Sequence, residues 1–167
     1  MGWTGAQIQI SGGAIQNNKG GISLQQATVI IDGGALIAEN ASSGIGLWFG
    51  AHANIRHATI EHNELEGVSA AGGSVVLFGG ESLETGTLIR SNSRNGVALY
   101  DASVAGAGGQ SGVRIVENIG HGVLCSPAPA APQITAGEGP GLLSLNSSNV
   151  FNNTSDPQIN CPTLVVP

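Results

Sequence analysis

Residues 60–68 read Ile60-Glu61-His62-Asn63-Glu64-Leu65-Glu66-Gly67-Val68, and the frame Ile-x-x-Asn-x-x-x-Gly followed by a β-branched residue decides the fold. It recurs as Ile37…Asn40…Gly44-Ile45, Ile89…Asn92…Gly96-Val97 and Ile115…Asn118…Gly122-Val123. A looser copy opens the chain at Ile15, Asn18 and Gly21-Ile22, and another closes it at Val150 and Asn153. From Gly21 the glycines step by 23, 23, 29 and 26 residues, the range of stacked-repeat architectures.

Superimposing the copies leaves three short strand-like pieces per repeat. One follows the glycine (Ile22/Leu24, Ile45/Leu47, Val68/Ala70, Val97/Leu99, Val123/Cys125), with Ser23, Gly46, Ser69, Ala98 and Leu124 on the opposite face by period-2 alternation. A second comprises Ile8/Ile10, Val29/Ile31, Ala53/Ile55, Val75/Leu77 and Leu143/Leu145. The third leads into the asparagine: Gly13/Ile15, Ala35/Ile37, Ala58/Ile60, Thr87/Ile89, Val113/Ile115 and Ser148/Val150. Three strands and three turns in so short a repeat leave no room for a helix. The expectation is an all-β, right-handed, single-stranded parallel β-helix of about six coils, each of three short strands stacked at roughly 4.8 Å. Asn18, Asn40, Asn63, Asn92, Asn118 and Asn153 are then a structural ladder at one turn, bonding local backbone, tolerating left-handed φ and bonding one another from coil to coil.

Composition agrees. The 167 residues are read as one domain, 1–167, with 41% hydrophobic residues, 27 glycines and only 10% charged residues. A net charge of −6 argues against nucleic acid or anionic membrane surfaces as partners, and no apolar run is long enough to span a bilayer. No export signal precedes the first repeat, so an extracellular or cell-surface location is expected only if a leader has been removed. Insertions are expected at 78–86, 104–112 and, rich in proline, 126–141; loops of this kind either shape a groove or are tolerated surface excursions. Open coil ends expose strand edges, so the chain is expected to be a fragment of a longer protein or to self-associate end to end or by an edge, with Trp3 the one ring available to cover the first coil.

These repeats, Gly-Ile-x-Leu, Val-x-Ile and Ile-x-x-Asn, resemble the coils of the pectate-lyase-like superfamily of right-handed β-helices over nearly the whole chain. That resemblance implies architecture more than activity, because the superfamily includes lyases, glycosidases, esterases, epimerases, phage tail proteins and non-enzymatic surface proteins. Pectate-lyase-type chemistry requires clustered acidic calcium ligands and a basic residue. The three aspartates here, Asp32, Asp101 and Asp156, fall in different coils. The Gly120-His121-Gly122 tripeptide resembles a polygalacturonase element, but it arises from the repeat's own turn glycine and lacks its aspartate partners. His52, His57 and His62 fall on different strands or turns, so neither a metal nor another cofactor is expected. Glu61 and Arg90 should be surface neighbours, as should Glu39 and His62.

Aromatic residues point elsewhere. The outward column after the first strand reads Gln25, Trp48, Ala71, Tyr100, Ser126, placing Trp48 and Tyr100 two coils, roughly 10 Å, apart. They form either a platform for alternate sugars, with Asp101, His52 and Phe49 nearby, or an anchorage for the proline-rich loop. Cys125 and Cys161 would stack in neighbouring coils, either as a disulfide pinning the last strand or as two buried thiols. The functional expectation is a non-catalytic structural, adhesive or polysaccharide-binding domain; the alternative is a polysaccharide lyase or glycoside hydrolase with a site built from the inserted loops.

Overall fold

A computed structural model describes residues 5–79, 85–107, 112–126, 133–135, 150–160 and 164–165. The chain runs through successive strand triplets: β1 (Gln7–Ser11), β2 (Ala14–Gln16) and β3 (Ile22–Gln25), then β4 (Thr28–Asp32), β5 (Leu36–Ala38) and β6 (Ile45–Trp48). There follow β7 (His52–Arg56), β8 (Thr59–Glu61) and β9 (Val68–Ala70), then β10 (Val75–Gly79), β11 (Thr87–Arg90) and β12 (Val97–Leu99). The later strands are β13 (Val104–Ala107), β14 (Val113–Val116), β15 (Val123–Cys125), β16 (Gln133–Thr135), β17 (Val150–Phe151), β18 (Ile159–Asn160) and β19 (Leu164–Val165). Every third strand joins the same sheet, in parallel. Sheet A is β1-β4-β7-β10-β13-β16-β19, sheet B is β2-β5-β8-β11-β14-β17, and sheet C is β3-β6-β9-β12-β15-β18. Among the described residues there is no helix, and hence none long and apolar enough to cross a membrane.

The repeat registers as its spacing requires. In sheet B, Ile15, Ile37, Ile60, Ile89, Ile115 and Val150 stack directly, and in sheet C so do Ile22, Ile45, Val68, Val97, Val123 and Ile159. From the second coil onward these side chains are almost all fully buried in one continuous core between the three sheets. At roughly 1.5–3 kcal/mol for each buried aliphatic side chain, such stacks dominate the stability of the coil.

Sheet A corrects four expectations. Ala53 pairs with Val76 and Ile55 with Phe78, so Val76 and Phe78 enter the core while Val75 and Leu77 face outward. The stretch Val75-Val76-Leu77-Phe78 is apolar at every position, so alternation alone could not choose its face; burial of the large Phe78 ring does. Phe78 is therefore core rather than the start of an insertion. Val104–Ala107, also expected to be inserted, is β13 in register with Val75–Phe78. Gln133–Thr135, expected within the loop 126–141, is β16 beside β13 and takes the sheet A position of its coil. The expected strand at Leu143/Leu145 lies outside the described residues, as do Trp3 and the greater part of the three loops.

The asparagines form the expected ladder, with a difference in its geometry. In each coil the backbone N–H and side-chain amide of one asparagine donate to the Oδ1 of the next: Asn63 to Asn92 at 3.1 and 3.0 Å, Asn92 to Asn118 at 3.1 and 2.9 Å, Asn118 to Asn153 at 2.9 and 2.8 Å. The same amides also donate to carbonyls of the preceding coil, as Asn63 does to Ile37. Left-handed φ belongs to the residue before each asparagine: Asn17, Glu39, His62, Ser91, Glu117 and Asn152 have φ between 51° and 58°. The asparagine contributes its side chain to the bend without adopting the bend's conformation. The series ends on Gln158, whose Oε1 accepts the two Asn153 donors at 2.8 and 2.9 Å.

Candidate functional site

Sheets C and A meet at a corner formed by Gln26, Phe49, Gly72 and Asp101, one from each coil, and all four have positive φ. Trp48 ends β6 on the outer face of sheet C, in register with Gln25. Its indole lies against Gly46, where an added Cβ would come within 3.1 Å of Nε1, and 37% of the residue remains exposed. A glycine two residues before the tryptophan thus makes room for the ring to lie back on the sheet. Phe49 follows at the corner, 63% exposed, against Gly72 of the next coil.

Tyr100 occupies the same outward column two coils on, its N–H donating to the carbonyl of Ala70. It is half-buried. Burial raises its phenol above the usual 10.0, the Glu66 carboxylate adds to the effect, and Arg94 opposes it. Glu66 is itself almost completely buried, accepts the Ser43 hydroxyl at 3.1 Å and faces Arg94 at 3.9 Å. Tyr100 consequently sits in a fixed electrostatic setting, unlike the more open Trp48.

Around the corner, the outer face of sheet A carries a shallow groove of about 340 Å³ across β4, β7 and β10. Thr28, His52 and Val75 form one row of its lining, and Ile30, Asn54 and Leu77 the next, as the strand register dictates. Leu77 is 46% exposed. Hydroxyl, imidazole and amide groups therefore stand beside apolar side chains, a mixture suited to a ligand with both polar edges and apolar faces. The four residues singled out by sequence divide between three places: Trp48 and Tyr100 on sheet C, Asp101 at the corner, and His52 in the groove on sheet A. Phe49 joins the two faces.

Several charged groups elsewhere are engaged with one another. Glu61 receives Arg90 Nε at 2.6 Å, as expected, whereas His62 lies 3.9 Å from Glu61 rather than pairing with Glu39. Asp32 accepts from Gly33 N at 2.6 Å and lies 2.9 Å from His57 Nδ1. The hydrogen bond from His57, then that from Gly33, holds the Asp32 carboxyl below its ordinary 3.8. Among the described residues no group of three or more His, Cys, Asp or Glu is placed to hold a metal ion. Cys125 is buried and disulfide-bonded, and β15 and β18 align Val123 with Ile159 and Leu124 with Asn160; Cys161 lies outside the described residues.

Two polar devices escaped the sequence reading. Ser74 and Ser103 form a short ladder inside the C-to-A corner, Ser74 Oγ accepting from Ala51 N at 3.2 Å and Ser103 Oγ from Ser74 N at 3.1 Å. The spacing of 29 residues between them is a repeat interval, but two serines against alanines in other coils give little pattern to detect. Gln158, which ends the asparagine ladder, falls five residues after Asn153 and so outside the repeat frame.

A family model described as "Right handed beta helix region" matches residues 2–157. No curated protein matches the chain, and no solved structure matches it.

Proposed function

The chain belongs to the right-handed β-helix family, and from that membership we propose that it is a non-catalytic, structural or adhesive domain that grips polysaccharide at the corner between sheets C and A. The observation that carries this reading is the continuity of an exposed aromatic edge with a polar-lined groove. Trp48 and Phe49 stand at the corner, and Thr28, His52 and Asn54 follow within the adjoining groove. A pyranose ring offers an apolar face for an indole and equatorial hydroxyls for imidazole, amide and hydroxyl partners, so both halves of the surface find a match in one ligand. Tyr100, two coils from Trp48, supplies a further contact with less ring available.

Affinity electrophoresis through gels containing neutral or acidic polysaccharides tests the reading. Retardation by at least one of them, lost in Trp48→Ala and weakened in His52→Ala with unchanged circular dichroism, is the expected result. Release of reducing ends, or of unsaturated uronides absorbing in the ultraviolet, would favour a glycoside hydrolase or polysaccharide lyase instead.

A further inference from the structure

Among the described residues Glu66 is the one carboxylate that is almost completely buried. It immediately precedes Gly67, as Ser43, Asn95 and His121 precede their own repeat glycines, so four polar residues stack where sheet B turns into sheet C. Its two oxygens are unequally used. Oε2 accepts the Ser43 hydroxyl at 3.1 Å, whereas Oε1 accepts no hydrogen bond from the described residues. Arg94 Nη1 stands 3.9 Å from Oε1, beyond hydrogen-bonding reach. A buried carboxylate ordinarily has its acceptor sites filled.

That separation suits one kind of group. An oxygen about 2.8 Å from both atoms must donate to the carboxylate and accept from the guanidinium. A hydroxyl does both at once. A carboxylate or sulfate cannot donate to Oε1, and an ammonium cannot accept from Nη1. Water meets the requirement too, and what favours a sugar is the pair of rings alongside.

Trp48 belongs to the coil of Ser43, with its indole laid back over Gly46, and Gly46 pairs in register with Ser69, three residues beyond Glu66. Tyr100 belongs to the coil of Arg94. Glu66 and Arg94 both act on its phenol, so this ring too lies back along sheet C toward the same corner. The two rings therefore flank the coil that carries Glu66, whose outward residues on this sheet, Ser69 and Ala71, are small.

We propose that Glu66 and Arg94, between the rings of Trp48 and Tyr100, form a subsite for an uncharged sugar residue. One hydroxyl of that sugar donates to Glu66 Oε1 and accepts from Arg94 Nη1, while an apolar ring face rests on the indole. The proposal rests on the polysaccharide reading above and narrows it to neutral, hydroxyl-rich glycans. A uronate brought to this corner would meet a buried carboxylate, and the groove on sheet A offers it no lysine or arginine among its lining residues. The net charge of −6 opposes an acidic polymer as well.

Affinity electrophoresis through polygalacturonate, through its carboxyl-reduced neutral form and through galactomannan tests this. The neutral gels should retard the protein and polygalacturonate should do so far less. Glu66→Gln and Arg94→Gln should each weaken neutral binding roughly tenfold or more, as loss of a hydrogen bond to a charged group does. Arg94 is 62% exposed, so its replacement leaves the fold intact, and circular dichroism with thermal melting checks Glu66→Gln. Glu61→Gln, which breaks the pair with Arg90 on sheet B, should bind as the wild type does. Retardation in none of the gels would overturn the polysaccharide reading and this subsite with it. Stronger retardation by polygalacturonate than by its reduced form, or neutral binding that survives both Glu66→Gln and Arg94→Gln, would overturn the subsite alone.

Discussion

Gln158 Oε1 receives the backbone N–H and the side-chain amide of Asn153 at 2.8 and 2.9 Å, the two donors that every earlier asparagine passes to the next coil. A glutamine from the following turn thus fills the place of a further ladder residue. The buried chain of amides ends on an acceptor instead of on unsatisfied donors.

Removing either kind of partner should therefore destabilise the coil, to different extents. Asn92→Ala leaves the buried backbone N–H of Asn63 without its acceptor, takes from the Asn63 side-chain amide one of three acceptors, and removes the bonds to Ile60 and Asn118, a loss of roughly 3 kcal/mol. Gln158→Leu leaves the backbone N–H of Asn153 without its acceptor in a part-buried bond, while the Asn153 side-chain amide keeps the Ile115 and Phe151 carbonyls, with an expected loss of about 1–2 kcal/mol. Asn18→Ala, exposed in the first coil, should lose least. Urea unfolding of the three variants gives the order; equal losses would contradict a ladder whose energetic weight follows burial.

The repeat glycine is required by close approach. A Cβ on Gly67 would lie 2.5 Å from Ile89 Cγ2, 2.7 Å from the Gly96 carbonyl and 2.9 Å from Asn92 Nδ2. Gly67→Ala must displace backbone and ladder together, with an expected loss of about 3 kcal/mol. Gly73, at φ 73° with open space around it, carries only conformational strain, and Gly73→Ala should lose about 1–2 kcal/mol. Thermal melting of the pair distinguishes packing from strain.

Tyr100 is the single tyrosine of the chain, so phenolate absorbance reports it alone. Its folded midpoint should lie above 10.0 and return to that value in denaturant. Because the folded value is raised, the contribution of this group to stability is present below pH 10 and is lost as pH rises through the folded midpoint. Glu66→Gln should lower the folded midpoint, and Arg94→Ala should raise it further. Opposite directions would place the phenol in a different setting.

Asp32 has the reverse sign. Its folded carboxyl is held below 3.8 by His57 and Gly33, so its contribution is present above that value and is lost as pH falls from 3.8 through the lower folded one. The carboxylate is 39% exposed, and solvent screening keeps the effect small. Acid melting curves of Asp32→Asn should accordingly fall less steeply than those of the wild type below pH 3.8. An unchanged slope would show that the contact with His57 has no weight in solution.

Sheets B and C were legible because their strands carry the repeat's own landmarks: Ile before the asparagine, a β-branched residue after the glycine. Sheet A was legible at Val29/Ile31 and Ala53/Ile55 and misread at β10, where four apolar residues in succession erase the alternation. It was missed at β13 and β16, where Val104-Ala105-Gly106-Ala107 and Gln133-Ile134-Thr135 resemble loop sequence until a neighbouring coil supplies their hydrogen bonds. For the candidate site, the outward direction of Trp48 and Tyr100 followed from period two. Their unequal exposure, and the removal of His52 to another face, did not.

The amino-acid sequence by itself determined the coil, because each turn repeats the same local requirements: a core aliphatic, an amide that can satisfy a buried bend, and a glycine without a Cβ. Such requirements act between positions one repeat apart, so they leave a period in the chain. The tertiary structure alone decided which faces become surfaces and how the asparagine ladder terminates. Those outcomes depend on corners that turn neighbouring residues such as Trp48 and His52 onto different sheets, and on a single glutamine, Gln158, brought beside Asn153 by the turn that follows it. Contacts made once leave no period, and they become visible only when the coils are stacked.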